Sequence, residues 1–314
     1  MTANQQQTLY FVGVTTGQSS ILKVFPRWCQ ALGLDAAIKG IDIAPNSAPE
    51  IYREAIMRIR DDVRSPGALI TTHKLNVWQA ARDLFDDVDD TSQTLEEINS
   101  VSKRGGRMIG HAKDPITVGF GLEAIVEAGY WKRSGGHMLI LGSGGSALAL
   151  TLYLHNRRAA GGDVPERIVV TARRQLRLDE MREVHRRIGF SIPIDYRLAP
   201  SAEDGDAVVA ELPEGSMIIN ATGLGKDAPG SPLSDAVVFP RHGIAWEFNY
   251  RGNLVFLDQA KRRAAADELR VEDGWVYFIH GWTRVIAEAF DIDIPVAGPE
   301  FGRLSRIAME ATRS

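Results

Sequence analysis

The sequence is poor in cysteine, contains no long apolar run and carries little excess charge. Its 314 residues include one cysteine, Cys29, which excludes an internal disulfide and any metal site built on several cysteine ligands, and which fits a reducing compartment. No segment approaches the roughly 20 consecutive apolar residues of a membrane-spanning helix, and residues 1–8 lack the basic and apolar parts of a secretory signal. We therefore expect a cytoplasmic protein with no membrane partner.

Charged residues of the two signs nearly balance. The chain has 36 Lys and Arg against 40 Asp and Glu, so its formal net charge is −4 and it has no basic field to attract nucleic acid. The histidines show neither the H-x-x-x-H nor the H-E-x-x-H spacing of a catalytic metal site. We expect a small-molecule substrate, no nucleic acid, no metal, and either a monomer or a homodimer.

Short apolar or β-branched runs alternate with amphipathic stretches along nearly the whole chain, which is typical of β-α units and a largely parallel sheet. Strands are predicted at residues 10–14, 38–43, 68–71, 99–102, 107–110, 137–141, 167–171, 216–220 and 244–248. Helices are predicted at residues 21–32, 50–60, 76–85, 118–131, 146–157, 178–188, 254–265 and 276–290. Because Gly105-Gly106 separates the strands 99–102 and 107–110, these two should form a hairpin. The sequence therefore predicts an α/β fold, with a domain boundary between Gly110 and Gly136.

The most specific local motif is the glycine-rich segment after the predicted strand 137–141. It has the pattern G-x-G-x-x-A, follows an apolar strand and opens a helix, which is the setting of a dinucleotide-binding turn. The first glycine permits the tight turn, the second lets a pyrophosphate approach the backbone, and the alanine allows close packing of helix on strand. The residues expected to bind the cofactor are Gly142, Ser143, Gly144, Gly145, Ser146 and Ala147. The alternative is a β-α turn that binds nothing.

The end of the next predicted strand distinguishes NADP from NAD. An NAD site usually has an Asp or Glu there for the ribose hydroxyls, whereas this strand is followed by Arg173, Arg174 and, three residues later, Arg177. Guanidinium groups favour a 2′-phosphate, so the sequence favours NADP as cofactor. The same arginines disfavour a methyltransferase, whose cofactor ribose usually needs an acidic residue here. The alternative is a solvated basic loop.

Four further segments form an ordered set of motifs. Residues 67–74 are GALITTHK, 98–101 are INSV, 110–120 are GHAKDPITVGF and 219–225 are INATGLG. They resemble, in this order, the G-x-N-V-T-x-P-x-K, V-N-T-V, G-x-N-T-D-x-x-G-F and I-N-A-T-x-x-G motifs of the shikimate dehydrogenase family. With the glycine-rich turn they make five motifs in order, so the resemblance extends over most of the chain.

The resemblance implies a particular division of the chain. A substrate-binding domain would occupy residues 1–112, an NADP-binding Rossmann domain would occupy residues 113–282, and a C-terminal helix within residues 283–314 would return to the first domain. The implied activity is that of an NADP-dependent oxidoreductase, and the implied setting is aromatic amino acid biosynthesis.

The resemblance also assigns roles to individual residues. Lys74 would be catalytic, Asp114 would be the partner of that lysine, and Asn99 would hold a substrate hydroxyl, with Thr71 as a further substrate contact. A lysine ammonium can donate a hydrogen bond and a proton to a carbonyl oxygen, and a carboxylate can orient it. The family segment that lies along the nicotinamide side of the cofactor corresponds here to Asn220, Ala221 and Thr222. Gly274 would be a later glycine beside the cofactor.

The departures from the family pattern concern the substrate more than the cofactor. In the family, the two serine hydroxyls of an S-x-S-P motif bind the substrate carboxylate. Here the adjacent Ser19 and Ser20 replace that motif, without a proline. One of these serines could instead cap the helix that follows. The Y-x-P motif is replaced by Phe248-Asn249-Tyr250, and the glutamine of Q-G-A is replaced by His280. We expect His280 to contact the substrate without transferring a proton. Two interpretations of His73 stay open: the side chain lines the pocket, or it is exposed at the start of the helix.

These observations predict reversible hydride transfer between NADPH and the ring ketone of a shikimate-like, 3-dehydroshikimate-like substrate. One alternative is the same chemistry on another ring, such as quinate, an aminoshikimate or a cyclitol ketone, because the substrate motifs are altered. The other alternative is an NADP-binding sensor or scaffold without turnover, although such a protein would not need Lys74 and Asp114.

Overall fold

The structure, a computed structural model, describes residues 6–226 and 228–313. The first five residues of the polar segment 1–8, and the last residue of the predicted segment 283–314, lie outside the described residues. The chain divides into two compact units: the first ends at Lys113 and resumes at Ile279, and the second is Asp114–Phe278. The resemblance places the corresponding bounds after residues 112 and 282.

The first unit contains a mixed sheet in which parallel β-α units precede an antiparallel hairpin. Its elements up to Lys113 are β1 (Gln7–Gly13), α1 (Ile21–Leu32), β2 (Ala36–Asp42), α2 (Pro49–Asp61), β3 (Gly67–Ile70), α3 (Lys74–Ala81), β4 (Asp87–Val88), α4 (Asp90–Leu95), β5 (Ser100–Arg104) and β6 (Arg107–His111). The strand order is β2-β1-β3-β5-β6-β4. β1 is parallel to β2 and β3, whereas β5 is antiparallel to both β3 and β6.

The second unit contains a parallel sheet. Its elements are α5 (Asp114–Ile125), α6 (Tyr130–Ser134), β7 (Met138–Leu141), α7 (Gly145–Ala159), β8 (Ile168–Ala172), α8 (Gln175–Arg187), β9 (Ile194–Leu198), α9 (Ala202–Ala210), β10 (Met217–Asn220), β11 (Ile244–Glu247), α10 (Val255–Arg263) and β12 (Arg270–Glu272). The strand order β9-β8-β7-β10-β11-β12 is that of a Rossmann domain. Because β7 and β10 lie at the centre, their apolar runs are buried on both faces.

The C-terminal part of the chain returns to the first unit, as the resemblance implies. After α11 (Trp275–Phe290), the last helix is α12 (Gly298–Arg313), which packs on α1. The indole Nε1 of Trp28 on α1 donates a hydrogen bond to the carbonyl oxygen of Leu304 on α12, with an N···O distance of 2.9 Å. The predicted α/β fold with a returning C-terminal helix is therefore confirmed.

Most predicted elements are present, but one predicted helix is wrong. The helix expected over residues 118–131 is two helices, because α5 begins earlier at the Asp-Pro sequence and Gly129, with a φ of 76°, precedes α6. Pattern reasoning also missed β4, α4, β9, α9 and β12, which are short or rich in polar residues, and α12, which only the family resemblance implied. The predicted hairpin is confirmed, since β5 and β6 join through Gly105 and Gly106 with φ values of 57° and 79°.

Between residues 6 and 226, and between residues 228 and 313, no helix is both long enough and apolar enough to cross a bilayer.

A buried histidine links three elements of the second unit. The ring of His185 on α8 is 3% exposed and stacks on Phe190 with ring centroids 4.4 Å apart. Its Nε2 lies 2.7 Å from the hydroxyl oxygen of Thr151 on α7, and its Nδ1 lies 2.6 Å from the hydroxyl oxygen of Tyr196 on β9. Burial, with a smaller contribution from His155, lowers the pKa of His185 to about 4.

This lowered pKa predicts acid lability. An unfolded histidine takes up a proton near pH 6.5, whereas folded His185 stays neutral down to about pH 4, so stability is lost as the pH falls between these values. We expect His185 to account for a loss of about 2 kcal/mol in the free energy of unfolding between about pH 7 and about pH 5. Urea unfolding at both pH values measures this loss.

The variant His185→Gln should lose less stability than the wild type over this pH range, because glutamine does not titrate. The control His242→Gln changes an exposed histidine of the same unit and should keep the wild-type dependence. If His185→Gln lost as much unfolding free energy as the wild type between these pH values, His185 would not be the source of the acid lability.

Candidate active site

Two predicted cofactor segments meet at the centre of the second sheet. The chain proceeds from β7 to β8 and β9 on one side and from β10 to β11 and β12 on the other, so the connections leave a crevice at the carboxyl ends of β7 and β10. The backbone N–H of Ala221 donates to the carbonyl oxygen of Leu141 at 2.9 Å. A Cβ atom at Gly142 would lie 3.0 Å from the carbonyl oxygen of Ala221. The two turns therefore lie side by side.

The glycine-rich turn has the geometry that a pyrophosphate requires. Gly142 has a φ of 105°, which favours glycine, and its N–H donates to the carbonyl oxygen of Thr171 at 3.0 Å. Gly144 precedes α7, and a Cβ atom there would meet no described atom within 4 Å, so the approach to the helix N-terminus is open. Ala147 is fully buried and packs the helix on the sheet, whereas Ser143 and Ser146 are half-buried and Gly145 is exposed.

The three arginines after β8 are exposed but differ in their pairing. The guanidinium of Arg177 is 2.7 Å from the carboxylate of Glu180, one turn further along α8. Arg173 and Arg174 form ion pairs with no residue that the structure describes. Their charges are therefore available to an anion, which makes them better suited than Arg177 to a 2′-phosphate.

Asn220 holds the second turn in place. It is fully buried, and its Oδ1 accepts hydrogen bonds from the backbone N–H of Thr222 at 3.1 Å and from the Thr222 hydroxyl at 2.6 Å. Gly274 is buried against the end of β11, where a Cβ atom would overlap the carbonyl group of Phe248. Close packing explains this glycine, and its contact with a cofactor stays a prediction.

In the first unit, Thr71 and Lys74 follow β3. The Thr71 hydroxyl donates to the carbonyl oxygen of Val12 at 3.2 Å, so its proton is already used on the neighbouring strand. Lys74 is the first residue of α3 and is half-buried, and its carbonyl oxygen accepts the N–H of Ile98 at 3.3 Å. The helix start thus contacts the chain beside Asn99.

Asn99 has an unused buried donor. The side chain is 3% exposed, and its Oδ1 accepts the backbone N–H of Lys113 at 2.8 Å. Among the described residues, its Nδ2 has no hydrogen-bond partner. An unpaired buried amide N–H is costly, so this donor suits a ligand oxygen. Asp114 directly follows Lys113 and begins α5, where its carbonyl oxygen accepts the Thr117 hydroxyl at 3.0 Å.

Ser19 and Ser20 are half-buried and immediately precede α1. Ser20 caps this helix through its backbone, because its carbonyl oxygen accepts the N–H groups of Lys23 and Val24 at 3.1 and 3.2 Å. In the described part of the chain its hydroxyl makes no capping hydrogen bond. Of the two serines considered as caps, Ser20 therefore occupies the cap position without a side-chain cap.

The two histidines of interest are both buried. His73 is 1% exposed, its Nε2 lies 2.9 Å from the carbonyl oxygen of Ile43, and its ring lies beside Tyr52, so the exposed interpretation of His73 is wrong. His280 is 1% exposed and stacks on Phe301 with centroids 4.3 Å apart. Burial, followed by the charge of Arg284, lowers the pKa of His280 to about 4, so it is neutral at neutral pH.

Sequence reasoning missed Glu247, a fully buried carboxylate at the end of β11. Its Oε2 accepts the side-chain N–H of Asn220 at 2.7 Å, so it contacts the network that holds the Asn220–Thr222 turn. Within an apolar strand a lone glutamate is expected on the solvent side, and no spacing signal marked it as buried. Within residues 6–226 and 228–313, no group of three or more His, Cys, Asp or Glu side chains is placed to hold a metal ion.

The fold and the crevice define a two-unit α/β protein whose second unit is of the Rossmann type. No protein-family model matches the chain. The chain is similar to the shikimate dehydrogenase (NADP(+)) of Symbiobacterium thermophilum, with 27% identity over 224 residues, which cover 70% of this chain and 68% of that protein.

Solved structures share the fold of this chain. Shikimate dehydrogenase from Aquifex aeolicus has a TM-score of 0.74 and 17% identity, with 100% of both chains covered. The ligand-free 5-ketofructose reductase of Gluconobacter sp. strain CHM43 has a TM-score of 0.69 and 14% identity, with 98% of this chain and 99% of that chain covered. The resemblance to shikimate dehydrogenases that the motifs predict is therefore confirmed.

The exposed Arg173 and Arg174 predict a preference for NADPH over NADH. Arg173→Asp should weaken NADPH binding at least about tenfold more than NADH binding, because only NADPH carries the 2′-phosphate. Fluorescence titration of the reduced nicotinamides measures both affinities. Arg167→Asp makes the same charge change before the amino end of β8 and should alter the ratio little. Equal losses for the two cofactors in Arg173→Asp would contradict the assignment.

Proposed function

We propose that the chain is an NADP-dependent dehydrogenase that transfers hydride reversibly between NADPH and the ring ketone of a shikimate-like substrate. The observation that carries this proposal is the crevice at the carboxyl ends of β7 and β10. It combines an open glycine-rich turn with the unpaired Arg173 and Arg174, on a chain similar to shikimate dehydrogenases. The name of the Symbiobacterium relative supports NADP as the cofactor.

The second unit would hold the cofactor. The N-terminus of α7, reached through Gly144, suits a pyrophosphate because its backbone N–H groups carry partial positive charge. Arg173 and Arg174 suit the 2′-phosphate, and the Asn220–Thr222 turn would lie along the nicotinamide. When bound, the reduced nicotinamide supplies the hydride.

The first unit would bind the substrate. Lys74 would hold a proton at Nζ for the substrate oxygen, and Asp114 is the carboxylate that the family resemblance assigns to that lysine. The free Nδ2 of Asn99 supports its role as the donor to a substrate hydroxyl. The substrate contacts at Ser19, Ser20, Thr71 and His280, the cytoplasmic location and the monomeric or dimeric state remain predictions.

A second candidate is the same chemistry on a different ring, such as quinate, an aminoshikimate or a cyclitol ketone. The altered substrate motifs favour it, because the two serines are adjacent and His280 is neutral and buried where the family has glutamine. The similar fold of a 5-ketofructose reductase indicates that the architecture alone does not select a ring acid.

The test is turnover on a panel of ring alcohols with NADP and NAD, followed by absorbance of the reduced nicotinamide. Turnover on shikimate with NADP supports the first candidate, and turnover only on another ring alcohol supports the second. Tight NADPH binding without turnover on any ring alcohol would overturn both in favour of the sensor or scaffold.

The lysine and the aspartate predict a specific kinetic defect. Lys74→Ala and Asp114→Asn should each lower kcat at least about 100-fold, because stabilisation and protonation of the substrate oxygen are lost. NADPH affinity should stay within about twofold of the wild type, since neither residue lies on the cofactor turns. Lys39→Ala, which removes an exposed lysine of β2, is the matched control. Near-normal turnover in either variant would refute the pair.

A further inference from the structure

Glu247 is an acidic side chain enclosed by hydrogen-bond donors. It is fully buried, and its Oε1 accepts both the backbone N–H of Asn249 at 2.8 Å and the Asn249 side-chain N–H at 2.7 Å. Its Oε2 accepts the side-chain N–H of Asn220 at 2.7 Å. Three donors directed at two oxygens match a carboxylate, whereas a carboxylic acid would place its own proton against a donor.

Neither asparagine can turn its amide to relieve that conflict. The Oδ1 of Asn220 accepts the N–H and the hydroxyl of Thr222, so a flipped amide would place donor against donor. The Nδ2 of Asn249 also faces the carbonyl oxygens of Thr222 and Leu224, at 3.2 and 3.3 Å. The orientation of both amides is therefore fixed by the Asn220–Leu224 segment.

This network reaches the proposed cofactor crevice. Asn220 and Thr222 flank Ala221, whose carbonyl oxygen lies against Gly142. Movement of the Asn220–Thr222 turn would therefore change the shape of the glycine-rich turn beside it.

Two opposing effects act on the ionisation of Glu247. Burial favours the neutral acid, while the N–H donors of Asn249 and Asn220 and the charge of Lys226 favour the carboxylate. Asn220 and Asn249, which donate hydrogen bonds to it, are themselves uncharged. Burial is the larger effect and raises the pKa of Glu247 to about 7.

We propose that ionised Glu247 is a positioning residue that holds the Asn220–Thr222 turn in its cofactor-binding shape, and that protonation of Glu247 loosens the turn and weakens cofactor binding. This inference rests on the proposed function, since it concerns the same crevice. It adds a fully buried residue that acts through Asn220 and Asn249.

The experiment is NADPH titration of the full chain from about pH 6 to about pH 9, for the wild type and for Glu247→Gln. Wild-type affinity should rise about tenfold with pH through the neutral range. Glutamine places an N–H against a donor, so Glu247→Gln should bind about as weakly as the wild type does at the acid end, and its affinity should change with pH only as far as the 2′-phosphate titrates. The 2′-phosphate titrates near pH 6 as well, and the variant measures that background. Glu166→Gln removes an exposed carboxylate of the same unit and should keep the wild-type profile.

The outcomes separate the inference from the proposed function. Tight NADPH binding with the same pH profile in wild type and Glu247→Gln overturns the role of Glu247 and leaves the proposed function standing. Absence of NADPH binding by the wild type at every pH overturns both.

A measurement on the wild type covers the case in which Glu247→Gln does not fold. With carbon-13-labelled glutamate, the side-chain carboxyl resonance of Glu247 should titrate in the neutral range, and saturating NADPH should lower its midpoint because binding and ionisation are linked. A midpoint that NADPH leaves unchanged would overturn the inference.

Discussion

The close backbone contact between Gly142 and Ala221 is the constraint on which the candidate site depends. It joins the turn after β7 to the turn after β10, and the hydrogen bond from Ala221 to Leu141 holds them together. A side chain at residue 142 would push against the Ala221 carbonyl group and separate the turns. The reversal of strand order at this place is what leaves a crevice for a ligand at the sheet edge.

Electrostatic attraction at this site is local. The chain has a net charge of −4, so long-range steering of an anionic cofactor is not expected from its overall charge. The N-terminus of α7 and the unpaired Arg173 and Arg174 supply positive potential where phosphates would lie. Glu247 contributes differently, because its buried charge acts on the shape of the Asn220–Thr222 turn through hydrogen bonds.

Sequence patterns predicted the elements whose structure depends on residues close together in the chain. The spacing of apolar residues predicted α1 with its observed bounds, and the glycine pair predicted the β5–β6 hairpin. The motif order marked the turns after β7 and β10, which are built from consecutive residues and lie side by side in the structure. Burial of individual polar groups was not predictable, because it depends on distant partners: Ile43 and Tyr52 enclose His73, and Asn220 and Asn249 enclose Glu247. The Nδ2 of Asn99, which has no hydrogen-bond partner among the described residues, is likewise placed by the bond that Oδ1 accepts from Lys113.

The central claim is that the crevice between the turns after β7 and β10 binds NADP. A crystal structure of the chain with NADPH tests it most directly. We expect the pyrophosphate at the N-terminus of α7 beside Gly144, the 2′-phosphate between Arg173 and Arg174, and the nicotinamide along the Asn220–Thr222 turn. A cofactor bound outside this crevice, or a 2′-phosphate directed away from both arginines, would contradict it.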